Sequence, residues 1–202
     1  MTMTTTMTMK LGMIGLAVAT ATWAGGTALG QNAPAIRYQP EIDSPIAERN
    51  PNAPPAMANY DFVAGDWDVE IEFTPPGGQP NRYAARWHNH WIVNGMVMMQ
   101  EWRGPYATGT EIRFFNPAND RIEGVNIYPA FGGGARATHS HWQGDRMEVV
   151  IPSEDAEGAF LNRETYLDIT ATSFRMYSER SRDDGETWSA GTYEMTATRI
   201  EP

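Results

Sequence analysis

The sequence predicts an all-β fold, an antiparallel up-and-down barrel of about ten strands in a single domain. Three observations carry that expectation. Residues Trp67-Asp68-Val69-Glu70-Ile71-Glu72-Phe73 alternate strictly between apolar and acidic, the period of a strand with one buried and one wet face. Turn signals then recur at short intervals towards the C terminus, and no stretch of helical period lies between them. Short connections between sequential strands favour a meander, and closing the sheet removes the edges at which sheets aggregate.

Residues 1–30 read as a secretory signal peptide. They hold a single basic residue, Lys10, then an apolar run from Leu11 to Trp23, with Ala28 and Gly30 at the minus-three and minus-one positions of a cleavage site. The run is shorter than the roughly 20 apolar residues of a membrane span. The expected location is therefore secreted or periplasmic, with no membrane span after cleavage near Gly30. Residues 31–58 read as a Pro-rich linker, since Pro34, Pro40, Pro45, Pro51, Pro54 and Pro55 leave few large apolar groups to bury. A barrel domain is expected over 59–202, preceded by one short helical turn within Met57 to Ala64. Its strands are punctuated at Pro75-Pro76-Gly77-Gly78, Asn94-Gly95, Gly104-Pro105, Asn116-Pro117-Ala118-Asn119, Gly132-Gly133-Gly134, Gly144-Asp145, Pro152 to Gly158 and Asp183-Asp184-Gly185.

Charge narrows the partners. The formal net charge is -10, and without Lys10 the cations are 14 Arg against 25 acidic residues. No basic stripe is present, so nucleic acid is not an expected partner. With no Cys, an exported chain must draw its stability from its core.

Register separates two faces. If Asn94-Gly95 makes a two-residue hairpin turn, Val93 faces Met96, Trp91 faces Met98, Asn89 faces Gln100 and Trp87 faces Trp102, all on one side. That apolar side is expected inward. The other side carries His88, opposite Glu101, and His90. A turn at Gly144-Asp145 likewise pairs Trp142 with Met147 and Ser140 with Val149 inward, and sets His141 opposite Glu148 outward. The His-x-His pairs His88/His90 and His139/His141 have the same-face spacing of zinc or copper ligands. Their outward register favours a surface role, and no metal and no cofactor is expected.

The inward set defines the candidate ligand-binding residues: Trp87, Asn89, Trp91, Met98, Gln100, Trp102, Trp142 and Tyr193. A barrel of about ten strands is wide enough to leave a cavity. Asn89 and Gln100 would then orient a ligand among apolar walls. No nucleophile elbow, thiol or phosphate-binding Gly loop is present, so no catalytic residue is assigned. Glu164 and Glu179 alternate with aromatic residues and are expected inward, as an acid or base or paired with Arg175, Arg180 or Arg199.

Two motifs carry a resemblance. Ser181-Arg182-Asp183-Asp184-Gly185-Glu186-Thr187-Trp188 matches the Asp-box, a structural hairpin in sialidase-type propellers, where it recurs in several copies; here there is one. Gly65-x-Trp67 opening the first strand resembles the signature of the lipocalin-like (calycin) barrels. With Phe62, Thr110-x-x-Arg113-Phe114-Phe115-Asn116-Pro117, Glu179 ahead of the Asp-box, and Arg199 in the last strand, the chain resembles a family of exported bacterial domains of unknown function within those barrels. The resemblance implies that the turn before Gly65 caps one barrel end, that Trp67 plugs it, and that Arg199 stacks over Trp67. Gly65, Trp67, Arg199, Ser181, Asp183, Gly185 and Trp188 are accordingly structural. The related nitrobindin-like barrels bind haem through a His near the C terminus; this chain has no His after His141.

Three functions are compatible with this reading. The first is a non-enzymatic exported barrel that binds a small apolar ligand in its interior. The second is a zinc or copper protein, or a metal-dependent enzyme, using the His pairs. The third is an interaction module with a filled barrel.

Overall fold

A computed structural model describes residues 48–200 except Pro76, Gly132 and Gly133. The expected signal peptide and the linker before residue 48 lie outside the described residues. Ten antiparallel strands follow one another as a closed meander: β1 (Gly65–Phe73), β2 (Asn81–Ile92), β3 (Val97–Arg103), β4 (Thr108–Asn116), β5 (Arg121–Ile127), β6 (Arg136–Gln143), β7 (Arg146–Asp155), β8 (Gly158–Leu167), β9 (Ser173–Ser181) and β10 (Ser189–Arg199). Each strand pairs with its neighbours in sequence, and β1 pairs with β10 to close the ring. The fold is an all-β, closed up-and-down antiparallel barrel.

The hairpin registers follow from the sequence. Trp87 faces Trp102, Asn89 faces Gln100, Trp91 faces Met98 and His88 faces Glu101. Ser140 faces Val149, His141 faces Glu148 and Trp142 faces Met147. Val93 departs from the inward set: it is 62% exposed and adopts φ 51° in the β2–β3 turn, beyond the rim of the barrel.

One barrel end is closed by a 3-10 helix, Pro55–Val63, whose period of three residues sets Met57, Tyr60 and Val63 on one stripe. All three are buried. An α-helix would rotate the stripe away from the barrel mouth; the tighter helix keeps it aligned. Ala53 and Met57, within the stretch read as linker, belong to the core. The packed unit therefore begins before residue 59, because a Pro-rich segment needs few apolar groups when each is aimed at the barrel.

Trp67 lies under this helix with no solvent exposure. Its Nε1 donates to the Val63 carbonyl at 2.7 Å, and Phe174 meets it edge-on at 4.8 Å. Arg199 lies 4.2 Å from its ring centroid and donates to the carbonyls of Ala64, Phe62 and Ala171. A Cβ on Gly65 would stand 2.5 Å from Arg199 Nη1, and Gly65 has φ 112°. Only glycine satisfies both conditions. This closure fills half of the barrel and leaves the other half for the site.

Candidate functional site

At the end opposite the 3-10 helix the barrel encloses a cavity of about 560 Å³, within the few-hundred to 1,000 Å³ of ordinary ligand sites. Its mouth lies among the β1–β2, β3–β4, β7–β8 and β9–β10 connections, with Phe73, Tyr83, Tyr106 and Phe160 around it. Tyr83 and Tyr106 meet edge-on at 4.9 Å, and Asn81 donates to the Tyr106 hydroxyl. Deeper in the cavity are Trp87, Trp102, Tyr166, Met176, Tyr193 and Met195. Trp87 stacks near Tyr166 with 28° between the ring planes, and stands edge-on to Trp102.

Three of the eight sequence-predicted binding residues, Trp87, Trp102 and Tyr193, line this cavity. Asn89, Trp91, Met98 and Gln100 point inward as expected but are buried in the half filled by the 3-10 helix. Trp142 ends up at the rim of that half, 38% exposed, with its Nε1 donating to the Gly144 carbonyl. Its parity is inward, but its place near the end of β6 carries it out of the interior.

The polar floor comes from a pattern that no single hairpin displays. Register aligns Asn89 with Gln100, Gln100 with Glu111, Glu111 with Asn126, and Asn126 with Arg136. Adjacent strands β2 to β6 thus each place one polar side chain in a single row on the inner wall. The row runs from Asn89 and Gln100 in the filled half to Glu111, Asn126 and Arg136 at the cavity. Arg113, one inward step further along β4, is 1% exposed. Its guanidinium donates to Glu111 Oε2 at 2.5 Å and to Asn126 Oδ1 at 2.7 Å. Burial disfavours the guanidinium charge, but Glu111 together with Tyr60, Tyr166 and Glu164 more than offsets this and the Arg113 pKa moves upward. Gly124 makes the arrangement possible, because a Cβ there would lie 2.5 Å from the Ile112 carbonyl and 2.7 Å from Arg113 Nη1.

Across the barrel, Glu164 lines the cavity and is 7% exposed. Tyr193 donates to its Oε1 at 2.5 Å and Tyr166 to its Oε2 at 3.1 Å. Asn162 in turn donates to the Tyr193 hydroxyl. A bulge in β10 between Ala190 and Glu194 precedes this contact; Ser178 Oγ accepts from the Tyr193 amide and donates to the Tyr193 carbonyl, fixing that residue. Glu164 makes no ion pair among the described residues. Loss of water, and then the charge of Glu111, push its carboxyl up to about 7. Burial, then Glu164, raises Tyr166 and Tyr193, whereas Tyr128 is raised by burial and then by Glu111, to which it donates at 2.6 Å.

Other expectations are corrected. Glu179 faces outward, because Phe174, Met176 and Ser178 take the inward positions of β9. It pairs with Arg163 at 2.6 Å, and Arg163 lies over the Trp188 ring. The arginines weighed as partners of the inward carboxylates are engaged elsewhere: Arg175 with Asp168, Arg180 with Asp155, and Arg199 with backbone carbonyls.

The histidines sit on the outer face. His88 Nδ1 is 2.5 Å from Asp66 and its ring is 4.8 Å from that of His90; His141 lies 3.3 Å from Glu148. Among the described residues, no three His, Asp or Glu side chains converge in a metal-binding group. Around the final hairpin, Asp183 accepts from Ser181 Oγ and from the Thr187 amide and hydroxyl, and Trp188 Nε1 donates to the Gly185 carbonyl.

No known family model matches the chain, and no curated protein matches it. Among solved structures it is similar to the crystal structure of Rv2717c from M. tuberculosis, with 13% identity and a TM-score of 0.46 over 74% of this chain and 100% of that one.

Proposed function

We propose that the protein is an exported, non-enzymatic barrel that holds a small, largely apolar ligand in its interior. The observation that supports this is the cavity of about 560 Å³, walled by aromatic and aliphatic side chains and open at one end. The buried polar groups on its wall are Glu111, Asn126 and Glu164, which orient a ligand without opposing burial of its apolar body. Closure of the other end by the 3-10 helix gives the site one entrance.

Two of the chain's seven Trp, Trp87 and Trp102, line the cavity, so their emission reports occupancy. Titration of the purified protein with small hydrophobes is expected to shift or quench that emission saturably, with native mass spectrometry showing one molecule bound. Failure of every compound that fits the cavity to change the emission, together with an unliganded mass, defeats the proposal.

A further inference from the structure

The ligand class can be narrowed, on the premise that the cavity binds a ligand at all. We infer that the cavity selects apolar amines, whose ammonium group pairs with Glu164 while the apolar body lies against the aromatic wall.

The argument is one of charge accounting inside the barrel. Glu111 and Arg113 neutralise each other at 2.5 Å. Arg180 is held by Asp155 at 2.9 Å. Glu164 lines the cavity, is nearly water-free and has only neutral donors, the hydroxyls of Tyr166 and Tyr193. Each carboxylate oxygen has a further lone pair beyond those bonds. A buried carboxylate without a cation is costly, and it is relieved by protonation or by a cation that enters with the ligand. The walls suit the second course, because the faces of Trp87, Trp102 and Tyr166 attract a cation once it is desolvated. The acidic surface, at formal net charge -10, adds a long-range pull on cations.

The charged and titratable groups that act on Glu164 are Glu111 and Arg113 from β4, Tyr128 beyond β5, Tyr193 from β10 and Tyr166 of its own strand. Its cross-strand neighbours, Val149 on β7 and Ser178 on β9, carry no charge. Since burial and then Glu111 push the Glu164 carboxyl up to about 7, amine binding must displace its proton at low pH. Amine affinity therefore rises with pH up to the range where the amine itself loses its charge.

The competing anchor is Arg136, which lines the cavity from β6 and would prefer an acid. One series distinguishes them: octylamine, octanol and octanoate, titrated against tryptophan emission at pH 5.5 and 8.5. The inference expects octylamine to bind about tenfold more tightly than octanol at pH 8.5, and that advantage to shrink about tenfold at pH 5.5. Glu164→Gln is expected to bring the octylamine-to-octanol affinity ratio at pH 8.5 close to one. Tighter binding of octanoate overturns the inference in favour of Arg136. An amine preference unchanged in E164Q assigns it to the acidic surface and also overturns it. If E164Q does not fold, the wild-type pH series decides: an octylamine-to-octanol ratio that does not change with pH overturns the inference. Equal binding of all three compounds refutes the amine class and leaves the apolar cavity standing. Binding of none removes the functional proposal itself.

Discussion

Replacing Glu164 by Gln should make the barrel more stable relative to wild type at alkaline pH, although it exchanges one of two hydrogen-bonded carboxylate oxygens for an amide NH2. The carboxyl moves from an ordinary value of 4.5 to about 7 in the folded chain, driven by loss of water and then by Glu111. Between those values the folded state holds a proton that the unfolded chain has released. Unfolding therefore releases a proton, and stability falls as pH rises through this window and levels off above it. At about 1.4 kcal/mol per pH unit, the window corresponds to a loss of about 3 kcal/mol. For a domain of this size that is a fall in Tm of about 10 °C.

Other groups titrate nearby. His90 and His139 are lowered, chiefly by burial, so they lose stability as pH falls. The diagnostic quantity is consequently the Tm of E164Q minus that of wild type, measured by circular dichroism in matched buffers. At pH 5 the amide and the protonated acid are close to isosteric, and the difference should be small or slightly negative. By pH 8.5 it should have risen by about 10 °C. Parallel Tm curves from pH 5 to 8.5, or a wild type that gains on the variant with rising pH, refute the placement of Glu164 as an unpaired buried acid.

Three further perturbations test the frame. Gly124→Ala puts a Cβ 2.5 Å from the Ile112 carbonyl and against Arg113; displacing that guanidinium strands Glu111, and denaturant titration should show a loss of about 3 kcal/mol or more. Arg199→Ala removes three carbonyl contacts and the cation over Trp67, which should cost about 2 kcal/mol, and Arg199→Lys should restore less than half because an ammonium cannot span the same carbonyls. Asp183 is held down to about 2, first by the Thr187 hydroxyl and then by its amide, so its contribution exists above the ordinary carboxylate range and disappears as pH falls through about 2. Asp183→Ala should lower Tm at pH 7 and converge with wild type near pH 2; an unchanged Tm at pH 7 refutes the role of the Asp183 bonds in stability.

Strand parity was legible in the sequence because alternation is a local property: each residue's neighbours two positions away already declare its face. Depth along the barrel was not. Asn89 and Trp87 share a face and differ by one inward step, yet Asn89 lies in the filled half and Trp87 in the cavity wall. What divides them is the 3-10 helix: one short turn within Met57 to Ala64 is expected from the sequence, but how far it fills the barrel is signalled only by the spacing of Met57, Tyr60 and Val63 by three. The polar floor is less visible still. Gln100, Glu111, Asn126 and Arg136 stand on separate strands and become a row only through three successive registers. Within its own strand Glu111 is simply an acid between Thr110 and Ile112, with nothing to distinguish it from the acids on the wet face.

The same reasoning explains why a buried ion pair forms on one wall of the site and not on the other. Arg113 can cross to Asn126 because Gly124 leaves the space open, and it neutralises Glu111 there. On the opposite wall the inward neighbours of Glu164 are Val149 and Ser178, with tyrosines above and beside it, and no cation is within ion-pair reach among the described residues. The barrel has therefore satisfied one buried carboxylate internally and left the other facing the space that a ligand would occupy. Structural acids in cores are ordinarily paired with a cation. A lone acid set among aromatic rings at the wall of a cavity is a group whose partner comes from solution, either as a proton or as a ligand.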